Sequence, residues 1–318
     1  MTLAARITNN LVAQRDVFGD TLLELIDEDP RVYVLDGDLA NSTKADKISR
    51  ERPEHFLEMG IAEQNMMGVA AGLASCGLIP WLSSFACFLV NRDLDQLRVV
   101  VAQPNLSVKI AGAYSGLLTG KTGKTHQEVS DIAVMRAMPN LTVLAPADGV
   151  ETRLAMRAAN SWEGPVYIRL TRDPHPTIFP NDYDFSIGSV VPIRDGSDVT
   201  IFATGVQTVR ALEAAQQLEG EGISSHVVHV PTLKPLDEAG VIAAAERTGK
   251  VITAEDHTVI GGLGGAVAEV LGEQRPTPMK RLGIDDTFGE SAANNDLLSK
   301  YGLTPEHVAA TAQDLVKG

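Results

Sequence analysis

Along this chain, short runs of β-branched and other apolar residues alternate with longer stretches in which apolar positions recur every three to four residues, the spacing of helices with one buried face. RVYVLD (31–36), LIPWLSS (78–84), LSVKIAG (106–112), LTVLAP (141–146) and PVYIRL (165–170) read as strands, each beside a helix-like segment. Strands that take turns with helices build a parallel α/β sheet, because a parallel neighbour is reached only through a crossover. The pattern lapses in DPHPTIFPNDYDFSIG (173–188), where Pro and Asp cluster without helical period. A second α/β unit follows, with strands expected in DVTIFAT, SSHVVHV, KVITAE and PMKRLGI and helices near Gln207–Glu219, Asp237–Arg247 and Gly265–Leu271. The expected layout is therefore two successive α/β domains, 1–175 and 191–318, joined by a linker over 176–190.

With 318 residues and 44% hydrophobic content the chain has material for substantial cores. Its formal net charge is −14 and neither Lys nor Arg forms a run, which argues against a nucleic-acid partner and for small molecules or another protein. Cys76 and Cys87 stand in apolar stretches without disulfide or zinc spacing, and are expected as buried small hydrophobes. No window nears eighteen uninterrupted apolar residues and the N-terminal segment lacks the pattern of a secretory leader, so no membrane association and a cytoplasmic location are expected.

Candidate chemistry begins in EMGIAEQNMMGVAAGLASCG (58–77), where Glu63 opens an Ala/Gly/Met-rich helix. Taken alone, an acidic residue in a first turn simply suits the helix dipole. The run GIAEQNMMGVAAGLA followed by SSFACFLVNRDLDQLR, however, resembles the pyrimidine-binding domain shared by transketolases and deoxyxylulose-phosphate synthases. GKTGKTHQEVSDIAVMRAMPNLTVLAPAD (120–148) resembles the segment of that family that carries an active-site His before a helix, and the likeness runs from residue 15 to about 270. Complete chains of the family are roughly twice as long.

The resemblance implies a pyrimidine-binding fold followed by a transketolase C-terminal domain, and thiamine diphosphate as cofactor. The thiazolium carbon of that cofactor must lose a proton to its own amino group, a transfer driven by a carboxyl bonded to the pyrimidine nitrogen. A carboxyl held among apolar neighbours suits the task, since burial raises its proton affinity. Glu63 is that residue by the resemblance. Phe85 and Phe88 are implied as the flat surface for the ring, Phe88 foremost, although two Phe three residues apart are more often core. His126, in a Gly-rich loop, is implied as a catalytic or substrate-polarising group; a loop His is otherwise often merely solvated. Arg15, Ser42 and Arg172 resemble phosphate-binding positions, suited to sugar phosphate substrates, and Asp38 resembles a residue near the cofactor at a subunit interface, with helix capping as its ordinary alternative.

Two departures stand out. Thr122 holds the place, four before the His, where the family has an acidic residue that reads a hydroxyl of the acceptor aldehyde, and AGAYSGLL lacks the family's phosphate-side His, with Tyr114 nearest by spacing. Both fit an unusual ketose phosphate such as apulose 4-phosphate. The GDG segment and later Asn through which such enzymes hold Mg²⁺ and the diphosphate are missing, since the DGD at 36–38 is out of order, so no metal ligand is assigned here. A separate diphosphate-binding subunit that holds the Mg²⁺ is implied, with two copies of each chain. The GGLGG run at 261–265 does not complete a dinucleotide motif, because Val267 takes its last place, and reads as tight packing at a helix start. The leading expectation is a ketol-transferring subunit of a split transketolase. The β subunit of a 2-oxoacid dehydrogenase first component and a non-catalytic scaffold subunit are the alternatives.

Overall fold

The computed structural model describes Leu3 and residues 5–318. Its first half contributes eight strands: β1 Leu11–Val12, β2 Val32–Asp36, β3 Phe56–Glu58, β4 Ile79–Phe85, β5 Lys109–Ala113, β6 Thr142–Leu144, β7 Val166–Arg169 and β8 His175–Pro176. The second half adds β9 Val191–Arg194, β10 Val199–Ala203, β11 Ser225–His229, β12 Thr232–Lys234, β13 Val251–Thr258 and β14 Met279–Ile284. Three sheets result, of seven strands (order β12-β6-β7-β5-β4-β2-β3), five strands (β14-β13-β10-β11-β9) and two strands (β1-β8). Within the larger sheets the pairing is parallel except at the edges, where β12 runs antiparallel to β6 and β9 antiparallel to β11. The sequence expectation of parallel α/β architecture is met.

The strand pattern explains the sheet order. All seven residues of β4 and all five of β5 are buried, as expected of central strands covered on both faces, whereas β3 at the edge has two exposed residues of three. The helices expected in the second half are found as Gln207–Gly220, Glu238–Thr248 and Leu263–Gln274. Leu263 and Gly264 at the start of the last one donate their backbone N–H groups to the buried Glu255 carboxylate at 2.6 and 2.8 Å. The GGLGG run thus closes a helix N-terminus onto an acidic side chain of β13.

The two halves are stitched together. One apolar core takes Leu35, Met66, Leu82 and Ile110 from the first half with Phe202, Val228, Val251 and Leu263 from the second. Buried polar links cross the same boundary: Arg169, held by Asp131 at 2.8 Å, donates to the Asp256 carbonyl at 2.6 Å, and Glu151 meets His229 at 2.7 Å. At Gly116, with φ +77°, a Cβ would lie 2.1 Å from the Asp256 carboxylate, so only glycine lets β13 approach the loop after β5 this closely. The cysteines depart from expectation. Cys76 lies exposed at the end of the Glu63–Ser75 helix, and Cys87 is half-buried, its thiol pushed up to about 12 by burial and by the Glu128 charge.

Candidate active site

In open parallel sheets, ligands gather outside the carboxyl ends of the strands. The implied site residues concentrate there. Phe85 is the last residue of β4, Tyr114 follows β5 directly, Arg172 lies three residues beyond β7, and Asp38 two beyond β2.

Glu63 is the first residue of its helix, and only 3% of it is exposed. Its Oε1 accepts a hydrogen bond of 2.8 Å from Nη1 of Arg92, whose side chain is 43% exposed. Together with Ile61, Gln64 and Asn91 the pair lines an open cavity of about 590 Å³. Arg92 also lies over the ring of Phe88, its guanidinium carbon 3.9 Å from the centroid, a cation–π contact made natural by the four-residue spacing.

From Phe88 an aromatic column continues inward. Phe88 and Phe85 lie at 5.9 Å and 21°, and Phe85 and Tyr114 at 4.0 Å and 21°. His126 stands edge-on to both phenylalanines, 6.0 Å from Phe85 and 5.6 Å from Phe88, each at 70°. Its Nδ1 is 2.8 Å from the Thr125 hydroxyl, and Gly123, at φ +77°, turns the loop that carries it. At the far end of the column Arg15 Nη1 donates to the Tyr114 phenol oxygen at 2.8 Å, and the Arg172 guanidinium carbon is 5.6 Å from the same ring. Nη1 of Arg172 donates to the Thr119 carbonyl at 3.0 Å.

The structure thus brings Glu63, Phe85, Phe88, His126, Arg15 and Arg172 into one continuous group. Ser42 joins it by its main chain: its carbonyl accepts from Arg15 at 3.3 Å while its hydroxyl turns to Asn41. Asp38 is exposed at φ +64°, its backbone N–H donating to Glu58 at 3.0 Å, and its carboxylate touches neither Glu63 nor the column. Nor does it cap a helix. The turn before the Ala40–Thr43 helix is held instead by Asp36, whose Oδ1 accepts from the Leu39 N–H at 2.7 Å and whose carboxyl burial pushes up to about 6. Thr122 is folded back on its own turn, its hydroxyl 2.6 Å from that of Thr119.

Two neighbours of Glu63 carry no mark in the sequence. Arg92 is separated from Glu63 by 29 residues, and the only local signal is its spacing from Phe88. Asp93 is fully buried with neither carboxylate oxygen hydrogen-bonded, and desolvation followed by the charge of Glu63 raises its proton affinity well above the usual carboxylate range. A lone Asp in a polar run carries no sign of such burial.

Comparison with known proteins agrees with this geometry. The family model for the transketolase pyrimidine-binding domain matches residues 11–176, and that for the transketolase C-terminal domain matches residues 188–308. The 6-deoxy-6-sulfo-D-fructose transketolase subunit SqwH of Clostridium sp. (strain MSTE9) is 41% identical over 95% of this chain and 94% of that protein. One of the subunits of the apulose-4-phosphate transketolase of Phocaeicola vulgatus is 36% identical over 98% of this chain and 100% of its own length. Among solved structures, a split gene transketolase described as an inactive beta4 tetramer superposes with a TM-score of 0.90 at 46% identity, covering 96% of this chain and 99% of that one. Both halves of the chain and the order of its domains therefore carry the same signature, and this protein belongs to the transketolase family.

Proposed function

We propose that this chain is the pyrimidine-binding subunit of a two-chain transketolase, which transfers a two-carbon ketol unit between sugars ending in phosphate or a similar anion. The observation that carries the reading is a buried carboxylate, Glu63, that lines an open cavity and is joined through Arg92 to an aromatic face, Phe88. The fit to an aminopyrimidine can be judged from Arg92. Its guanidinium is planar and donates N–H bonds, and it already uses both features by stacking on Phe88 and bonding Glu63. A flat ring hydrogen-bonded to a carboxyl needs the same two partners, so Arg92 competes with it for Glu63 and for the face of Phe88.

When bound, thiamine diphosphate supplies the nucleophilic carbon that breaks and remakes the carbon–carbon bond. The chain's own residues do the rest. Glu63 holds a proton against the pyrimidine nitrogen, Phe88 and Phe85 fix the plane of the ring, and His126, edge-on to both, moves protons at the sugar oxygens. Arg15 and Arg172 hold the terminal anion, with Ser42 alongside Arg15. Asp38, on the exposed rim, is left to meet a second subunit.

A partner chain that holds the diphosphate and Mg²⁺, two copies of each, belongs to this proposal. It is supported by the face beside Glu63, where Ile61 is 73% exposed and a Cβ added at Gly68 or Gly72 would meet nothing within 4 Å. Two glycines inside a helix cost about 1 kcal/mol each relative to alanine, and open space above them suits close approach of another backbone. Two relatives that match along nearly their whole length are themselves named as transketolase subunits. A cytoplasmic setting accords with it too, and no helix among the described residues is long and apolar enough to cross a membrane. The test is to assay ketol transfer with the purified chain, a purified diphosphate-binding chain and their mixture, each with thiamine diphosphate and Mg²⁺. Activity only in the mixture is expected; transfer by this chain alone would overturn the two-chain reading.

A further inference from the structure

His126 is carried by a loop, residues 117–127, and among the described residues four hydrogen bonds tie that loop to the second half of the chain. The Asp256 carboxylate accepts from the Leu117 N–H at 3.1 Å, and Oδ1 of Asn294 accepts from the Gly120 N–H at 2.8 Å. The Ser291 hydroxyl donates to the Lys121 carbonyl at 2.6 Å, and Nε2 of Gln127 donates to the Glu290 carbonyl at 3.0 Å. Three of these anchors come from one short segment, 290–294, which lies across the loop. At Gly289 a Cβ would lie 2.1 Å from Oε1 of Gln127, and glycine there leaves room for the segment to pass that side chain.

The segment is braced from behind. Tyr301 Oη donates to the Phe288 carbonyl at 3.1 Å, and Lys300 pairs with the Glu290 carboxylate at 2.5 Å. The Asn294–Lys300 helix buries Leu297 and Leu298, and Leu298 shares an apolar core with Leu117 and Leu118 at the start of the loop. His126 has less of its own to hold it. Its backbone N–H donates to the Gly123 carbonyl at 3.0 Å and its Nδ1 lies 2.8 Å from the Thr125 hydroxyl, both within the loop. Its edge-on place beside Phe85 and Phe88 is therefore inherited from whatever fixes the loop. A loop presents a side chain accurately only when a rigid scaffold supports it.

Asn294 reaches furthest among the anchors. While its Oδ1 holds Gly120, its Nδ2 donates to Asp173, and Nη1 of the adjacent Arg172 donates back to the Thr119 carbonyl at 3.0 Å. One side chain of the C-terminal domain thus joins the His126 loop to the segment after β7.

We infer that Asn294 is a positioning residue for the proposed reaction, holding the loop through Gly120 so that His126 stands beside the aromatic column. The inference rests on the transketolase reading for what His126 does, but not for the anchoring of its loop. The C-terminal domain thereby takes part in the site without supplying a group that touches the cofactor.

Hydrogen–deuterium exchange of the purified chain, followed by mass spectrometry, reads the anchoring. Asn294→Ala is expected to speed exchange across residues 117–127 by about tenfold, the effect of losing one hydrogen bond that holds a loop closed, while β10 and β13 exchange as in the parent. In the reconstituted pair the same variant lowers kcat for ketol transfer about tenfold or more, because a displaced catalytic group costs rate steeply. Thiamine diphosphate affinity stays within about twofold, since Glu63 and Phe88 are untouched. A rescue separates positioning from a general folding defect. Asn294→Asp keeps the acceptor for Gly120 but sets a second carboxylate against Asp173, and is expected to loosen the loop. Adding Asp173→Asn again faces a donor with an acceptor, and recovers most of both exchange protection and kcat. Unchanged exchange over 117–127 in Asn294→Ala overturns the inference. So does parental kcat in a variant whose loop exchanges faster, or a double exchange that remains as slow as Asn294→Ala. Faster loop exchange in Asn294→Ala, with no ketol transfer from any ketose by the parent pair, overturns the transketolase reading instead and leaves Asn294 as the anchor of the loop.

Discussion

Glu63 and Asp93 are two buried carboxyl groups that feel each other's charge, and their partners set them apart. Glu63 has a guanidinium on it, whereas Asp93 has nothing. With its proton affinity raised, Asp93 binds a proton in the folded state that the unfolded chain, near the ordinary value of 3.8, has already released. Folded-state stability therefore falls as pH rises above about 4 and continues to fall until the buried group ionises. Asp93→Asn removes that dependence. Urea midpoints measured from pH 5 to 8 are expected to decline less steeply in the variant, and identical slopes would contradict the burial of an uncompensated acid. Glu63 was legible in the sequence because a charge opening an Ala/Gly/Met helix is conspicuous, and the family resemblance supplied the role expected of it. Arg92 and Asp93 were not, because their significance depends on a contact between segments 29 residues apart and on burial that local composition does not express.

At the scale of elements, the alternation of apolar runs with helical spacing was enough to place β2, β4, β5, β7, β10, β11 and β13, each a buried run of four to eight residues. The short pieces escaped it. β12 has three residues and returns from the second half of the chain to the edge of the first sheet, a long-range pairing that no periodicity reports. β1 and β8, two residues each, are equally silent, yet they tie Leu11 and Val12 to Pro176 and His175. His175 in that ladder is buried with Nε2 unpartnered, and burial, with the charge of Arg210 adding to it, pushes the imidazole down to about 3. The folded state keeps it neutral while the unfolded chain protonates below 6.5. Stability contributed at this position is thus present above pH 6.5 and lost as pH falls toward 3, by roughly a few kcal/mol in all. His175→Gln is expected to flatten the acid limb of the urea midpoint between pH 6.5 and 4. Parallel limbs in variant and parent would show that the imidazole is not held neutral.

For the molecule as a whole, the aromatic column runs from the Arg15–Tyr114–Arg172 cluster to Arg92 and Glu63, with His126 at its side. In the function proposed above, an anion at one end and a cofactor ring at the other is the arrangement that ketol transfer asks of this half of an active site. On that proposal a partner must add the ligands of the diphosphate and its metal, which lie beyond the column. Everything proposed for the column turns on Glu63 driving proton loss from the cofactor. That role is read out by the rate of hydrogen–deuterium exchange at the reactive thiazolium carbon, measured by quenched-flow NMR in the reconstituted pair with and without Glu63→Gln. Exchange slowed by about 10²-fold or more is predicted in the variant while thiamine diphosphate remains bound. Unchanged exchange in a variant that still binds the cofactor would contradict it.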